Sequence, residues 1–158
     1  MTLSPSGTSM PIIQRATTAD LPRMLELLGR AGLPTVGVAE ALPGFFVAHD
    51  GDDVVGVVGI ETCCDRYALL RSTAVADEWK GRGLGRKLVE RAIAEAEANG
   101  IEALYLLTTT AEHYFPSFGF ARVDRGDVPS EVKATEEFTS ACPASATVMT
   151  LWLTRSAS

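Results

Sequence analysis

The sequence predicts a mixed α/β fold, an α+β sheet with flanking helices, on three observations. Runs that alternate apolar and polar residues, the period of a strand, interleave with segments whose apolar residues recur at helical spacing. Two of the strand-like runs are joined by Asp50-Gly51-Asp52-Asp53, a hairpin signal. The wholly apolar run Ala103–Leu107 has the character of a central strand buried on both faces.

In chain order, Ile12–Ala16 alternates and opens the sheet. Thr17 and Thr18 offer N-caps to a helix in which Leu21, Met24, Leu25 and Leu28 share a face, and Gly32 and Pro34 stop it. A short helical piece over Val36–Leu42 ends at Pro43-Gly44. Phe45–His49, Val54–Glu61 and Tyr67–Val75 follow as a meander of strands. The period then switches: Leu84, Leu88, Ala92, Ile93 and Ala96 lie on one face of a helix that ends at Asn99-Gly100. After Ala103–Leu107 come a helical segment (Ala111–Phe118), a return strand (Gly119–Val123), a helix (Pro129–Phe138) and a closing strand (Ala146–Leu153).

The 158 residues suit one domain, expected over 12–153, with a disordered Ser/Thr/Pro/Gly-rich lead over 1–11 and a polar tail over 154–158. A formal charge of −6 argues against nucleic acid as the partner, because backbone-phosphate binders present a basic face. No apolar run is long enough to span a bilayer, and Met1–Met10 has neither the cations nor the apolar stretch of a signal peptide. Cys63, Cys64 and Cys142 are too few for a disulfide framework, so the cytoplasm is the expected compartment. They read as small buried hydrophobes, since Cys63 and Cys64 are neighbours on a strand and point to opposite faces. His49 and His113 lack ligand spacing, and no metal site is expected.

The chemistry is concentrated in Leu69–Val75 and in Lys80-Gly81-Arg82-Gly83-Leu84-Gly85-Arg86-Lys87, where a strand feeds a glycine-rich turn that opens a helix. Glycines let main-chain amides approach a ligand, and a helix start supplies unpaired N–H groups at the positive end of its dipole. That is an anion site, or else a turn that only connects a strand to a helix. A dinucleotide fingerprint would need glycine at position 86, which is Arg, and a P-loop cannot be placed here. The spacing of Lys80, Gly83 and Gly85 fits the acyl-coenzyme A signature [RQ]-x-x-G-x-[GA], with Lys where Arg or Gln is usual.

At these residues the chain resembles the GNAT superfamily of N-acetyltransferases. Leu69-Leu70-Arg71-Ser72, Thr108-Thr109-Thr110, Gly119-Phe120 and Cys142-Pro143-Ala144-Ser145-Ala146 together are similar to the GNAT enzymes of bacterial arsenic-resistance operons. The resemblance covers roughly Ile12 to Leu153. It implies a mostly antiparallel central sheet flanked by helices, acetyl-coenzyme A as cosubstrate, and a small amine as acceptor, arsenic-containing or otherwise. It also implies that Lys80, Gly81, Arg82, Gly83, Gly85 and Arg86 hold the pyrophosphate. The edge Thr73, Ala74 and Val75 would pair with the pantetheine arm and offer an N–H to the oxyanion. Family members often dimerise, which makes a homodimer an expectation.

Direct transfer needs a base for the amine and, in many family members, a tyrosine as acid. That tyrosine stands four residues before the glycine of Gly119-Phe120, a position occupied here by Phe115. Tyr114 lies one residue earlier, about 100° round a helix, and is expected to face elsewhere. Glu61 is the first candidate base, or else a solvated strand end, and Glu112 and His113 are weaker candidates. Arg71 sits in an apolar strand and needs either an anionic ligand, such as an acceptor carboxylate, or an internal salt bridge. Two other readings stay open: a non-catalytic acyl-coenzyme A sensor and a thiol-based arsenical binder.

Overall fold

A computed structural model of the chain describes residues 10–33, 35, 37–62, 66–108, 113–134 and 146–153. Its strands are β1 (Ile12–Arg15), β2 (Phe45–Asp50), β3 (Asp53–Thr62), β4 (Tyr67–Val75), β5 (Ala103–Thr108), β6 (Ala121–Arg122) and β7 (Thr147–Trp152). The helices are α1 (Leu21–Arg30), α2 (Leu84–Ala98) and the single-turn α3 (Ser130–Lys133). The strands form one sheet in the order β1-β2-β3-β4-β5-β7-β6. Every pairing is antiparallel except β4 with β5.

Strand parity assigns the two faces. Ala68 and Leu70 of β4, with Val58 and Ile60 of β3, pack against Leu84, Leu88, Val89 and Ala92 of α2. On the other face Phe45, Val47, Val57 and Ala74 pack with Met24, Leu27 and Leu28 of α1. Tyr67 and Leu69 instead join Val132 of α3 in a third cluster. Both faces of β5 are therefore covered, as its unbroken apolar run predicts.

α1 starts from a local device. Thr17 and Asp20 form a capping box around the 3₁₀ turn Thr18–Asp20, which runs directly into the helix. The same Asp20 carboxylate lies 2.9 Å from His49 Nε2 at the end of β2. Burial pushes the Asp20 carboxyl upward, but hydrogen bonds from the Thr17 main chain and from His49 outweigh it and hold the group below its ordinary value.

Four expectations change. Residues 37–41 form turns rather than a helix, followed by a 3₁₀ turn over Leu42–Gly44, because Pro43 and Gly44 interrupt any longer run. The segment before Gly119 is a 3₁₀ turn over Phe115–Phe118, with Pro116 inside it. The return strand shrinks to Ala121–Arg122. Met10 and Pro11, assigned to the lead, are packed: Pro11 is buried, and Met10 lies against the α2-side core. No helix among the described residues is long and apolar enough to cross a membrane.

Candidate active site

The parallel pairing of β4 with β5 covers only Tyr67↔Ala103, Ala68↔Leu104 and Leu69↔Tyr105. Beyond Leu69 the two strands follow different partners: β4 stays with β3 as far as Val75, and β5 stays with β7 as far as Thr108. A cleft therefore opens between them, and the β4 edge at Thr73, Ala74 and Val75 borders it.

A bulge sits on that edge. Gly59 pairs with Arg71 and Val57 with Ala74, so two steps on β3 match three on β4. The extra residue is accommodated at Ser72, whose φ is 59°, the left-handed region that side chains other than glycine rarely adopt. The bulge flips parity: Ala68 and Leu70 face α2 before it, and Val75 faces α2 after it. A bulge of this kind leaves its extra residue unpaired and locally disrupts the ladder.

Below the cleft, β4 leads through the 3₁₀ turn Asp77–Trp79 into the glycine turn. Gly81 and Gly83 have φ of 79° and 87°, and Gly83 is the N-cap of α2 with no side-chain cap bond. The first amide to bond within this helix is Lys87, to the Gly83 carbonyl, which leaves the N–H groups of its opening turn for a ligand. A Cβ added at Gly81 would meet nothing within 4 Å. At Gly83 such a Cβ would meet Met10 Cε at 3.8 Å, so the turn is open at Gly81 and bordered by a flexible side chain beside it; main-chain donors and the helix dipole fit a diphosphate.

The turn's cations behave differently from one another. Lys80 pairs with Asp77 at 2.9 Å, and both side chains are exposed. Arg82 stacks over Trp79 at 4.9 Å. Arg86, expected at the pyrophosphate, reaches the other way: Nη2 donates to Ser117 Oγ at 2.8 Å and the guanidinium lies 4.3 Å from the Phe118 ring centre.

Glu61 and Arg71, proposed separately from the sequence, come together. Arg71 Nη1 donates to Glu61 Oε1 at 2.9 Å, and Nε donates to Ser72 Oγ at 3.0 Å. The Arg71 side chain is fully buried, while that of Glu61 keeps 22% exposure. Before the bulge, Arg71 has the parity of Leu69 and points away from α2. Its Nη1 would lie 3.3 Å from a Cβ at Gly37, so the loop main chain passes directly over the guanidinium. There a cavity of about 590 Å³ opens, lined among others by Gly37, Glu40, Gly44, Ile60, Glu61 and Thr62. Glu61 faces this cavity and is oriented by a buried cation.

Tyr114 corrects an expectation. Its hydroxyl lies 3.6 Å from where a Cβ of Gly85 would be, a point equally distant from Val75 Cγ2, so it reaches the mouth of the cleft. A rotation of about 100° per residue does not apply here, because the 3₁₀ turn begins at Phe115 and Tyr114 is its N-cap. Burial pushes the phenol above its ordinary pKa; Arg86 opposes that rise and Glu90 adds to it. His113 is exposed. Glu112, Cys63, Cys64 and Cys142 lie outside the described residues. Among the described residues no cluster of three or more potential metal ligands occurs.

Sequence reasoning missed Ser72, Gly37 and Tyr114. Nothing local marks a serine for positive φ, whereas the aromatic run Tyr114, Phe115, Phe118 was a visible sign of a packed wall.

Residues 42–122 match the acetyltransferase (GNAT) domain family, a span that holds β2 to β6, the glycine turn and the Glu61–Arg71 pair. The chain belongs to the GNAT acetyltransferase family. An uncharacterized N-acetyltransferase of Chlorobaculum tepidum is 30% identical over 60% of this chain and 61% of its own length. An amino-acid acetyltransferase of Mycobacterium tuberculosis is 28% identical over 77% of this chain and 75% of its own. Among solved structures, N-acetylglutamate synthase of Neisseria gonorrhoeae, complexed with coenzyme A and N-acetyl-glutamate, superposes with a TM-score of 0.80. It is 18% identical, and the match covers 95% of this chain and 37% of that one, which shows the shared fold. The chain thus spans less than two thirds of the Chlorobaculum relative and of the Neisseria synthase.

Proposed function

We propose that this GNAT chain transfers the acetyl group of acetyl-coenzyme A directly to the amine of a small acceptor that also bears a carboxylate, as an amino acid does. The observation that carries the reading is the buried Arg71, bonded to a Glu61 that lines a cavity and pairs with Leu69, the last β4 residue paired with β5. The turn at 81–86 holds the diphosphate, and the bulged edge of β4 pairs with the pantetheine amides as an added strand would. The acceptor carboxylate exchanges with Glu61 at the Arg71 guanidinium, whose paired donors suit it, and Glu61 then takes the ammonium.

In the transfer, the ammonium proton passes through Glu61 to solvent, and the freed nitrogen lone pair forms the N–C bond at the thioester carbonyl. A β4 amide near Ser72 holds the oxyanion. As the C–S bond breaks, the Tyr114 hydroxyl gives its proton to the departing thiolate, and solvent restores it. With that hydroxyl at the cleft, the motive for a binder without turnover weakens. The names of the amino-acid acetyltransferase relatives support a carboxylate-bearing acceptor. The link to arsenic resistance rests on the sequence resemblance alone, and it puts an arsenic-bearing amine among the acceptors to try.

The test is release of free thiol from acetyl-coenzyme A with a panel of amino acids, their carboxamides, simple alkylamines and an arsenic-bearing amine. Turnover is expected with at least one free amino acid and at least about tenfold less with its carboxamide, from loss of a charge-assisted pair. Thiol release from no member of the panel, by a protein that still binds coenzyme A, would sink the reading.

A further inference from the structure

We propose that Arg86 is a positioning residue: bonded to Ser117 and stacked on Phe118, it holds the Tyr114 hydroxyl at the mouth of the cleft. The turn's main chain then carries the phosphates without it. The inference deepens the reading above, in which Tyr114 serves the departing thiolate, and assigns Arg86 a task different from the one its place in the glycine turn suggests.

Two routes link Arg86 to Tyr114. Along the polar one, Arg86 Nη2 donates to Ser117 Oγ at 2.8 Å, and that hydroxyl donates to the Tyr114 carbonyl at 2.7 Å. The serine oxygen accepts one bond and gives one, which uses its hydrogen in a defined direction. Along the apolar route, the guanidinium lies over Phe118 at 4.3 Å, and the Phe118 ring meets Tyr114 at 5.3 Å with planes at 76°. Phe115 braces the other side of Tyr114 at 5.2 Å. Main chain and ring of Tyr114 are thus both tied to the first turn of α2. Without that tie, Tyr114 would be a partly exposed aromatic at the start of a four-residue turn, free to leave the cleft.

Arg86 Nη1 faces Glu90 Oε2, 3.7 Å away on the next turn of the same helix. Its groups are therefore committed to protein on three sides. Lys87, in the same helical turn, has no ion pair among the described residues, so removing Arg86 leaves a cation there. Among the described residues, the charged groups that act on the Tyr114 hydroxyl are Arg86 and Glu90, both on α2, and His113 precedes it in the chain. Loss of the Arg86 cation removes the influence that opposes burial.

Arg86→Met and Ser117→Ala separate the two tasks. Three quantities are read in each variant: coenzyme A affinity by calorimetry, phenolate formation by ultraviolet titration, and turnover at saturating acetyl-coenzyme A. Tyr114→Phe identifies which of the three tyrosines is being titrated. Expected in both variants is coenzyme A affinity within about threefold of wild type. Turnover should fall on the order of tenfold or more, because the acid is no longer fixed. In Arg86→Met the Tyr114 phenolate should also form at higher pH. A loss of coenzyme A affinity of about tenfold or more in Arg86→Met, with saturated turnover unchanged, would make Arg86 a phosphate ligand and overturn the proposal. So would wild-type turnover in Ser117→Ala. Affinity and titration need no acetyl transfer. A wild-type protein inactive on every amine would remove the proposed reaction, while an unshifted Tyr114 titration in Arg86→Met would remove this inference separately.

Discussion

The cleft between β4 and β5 and the cavity at Glu61 lie on opposite sides of β4 and are built by different means. The cleft is made of main chain: a β4 edge that has no partner past Leu69 among the described residues, two left-handed glycines and an uncapped helix start. The cavity draws its character from side chains: Glu61, oriented by the buried Arg71 guanidinium behind it, and a second acidic residue, Glu40. A ligand whose polar groups are the same for every family member can be held by amides, which no side-chain substitution removes. A ligand that must be told from its neighbours needs charges in fixed places, and these can be changed one residue at a time.

That contrast can be tested by substitutions on either side. The largest effect is expected at the cavity. Arg71→Met removes the cation of a pair whose arginine is fully buried, and leaves Glu61 facing the cavity without it. A loss of about 3 kcal/mol is expected, near the lower end for a broken buried pair because Glu61 keeps some water. Urea unfolding reads this. Acetylation of any carboxylate-bearing amine should fall with it while coenzyme A affinity holds. A stable Arg71→Met protein with full activity would mean the pair supports neither the fold nor the acceptor.

For coenzyme A binding at the cleft, a change of backbone should matter most. Gly83→Ala forces a side chain into φ of 87° at the helix N-cap, which costs about 1–2 kcal/mol. Coenzyme A affinity should drop because the turn must relax out of its cradle, while the acceptor preference measured at saturating cofactor stays unchanged. Wild-type coenzyme A affinity in this variant would show that the turn does not hold the diphosphate.

The smallest effect concerns α1, whose start is fixed to β2 by Asp20 and His49. The Asp20 carboxyl is held below its unfolded value, so its contribution is fully present above the ordinary carboxylate range and is lost as pH falls through the folded value. Asp20→Asn should therefore lower stability by less than about 1 kcal/mol at neutral pH, as expected for a partly exposed pair. The gap to wild type should close in acid. Unfolding midpoints that differ equally at neutral and at strongly acid pH would rule the linkage out.

Much of the fold was legible because its signals are local. The alternation of Phe45–His49 and Val54–Glu61, the helical stripe of Leu84, Leu88 and Ala92, and the apolar run of β5 each depend on near neighbours in sequence. The glycine turn was legible for the same reason: Gly81 and Gly83 state a backbone geometry through the absence of a side chain. Residues 37–41 misled because a weak helical spacing carried no information about the turns that close over Arg71.

The sequence by itself determined the order of strands and helices, the place of the glycine turn and the residue types from which chemistry could be drawn. Tertiary structure alone decided that Glu61 and Arg71 are partners and that Tyr114 reaches Gly85 while Arg86 turns away from the cradle. These depend on strand register, on one extra residue in β4 and on a 3₁₀ turn in place of an α-turn. Such quantities are set by packing between segments far apart in the chain, and a shift of one residue in any of them reverses which face a side chain meets.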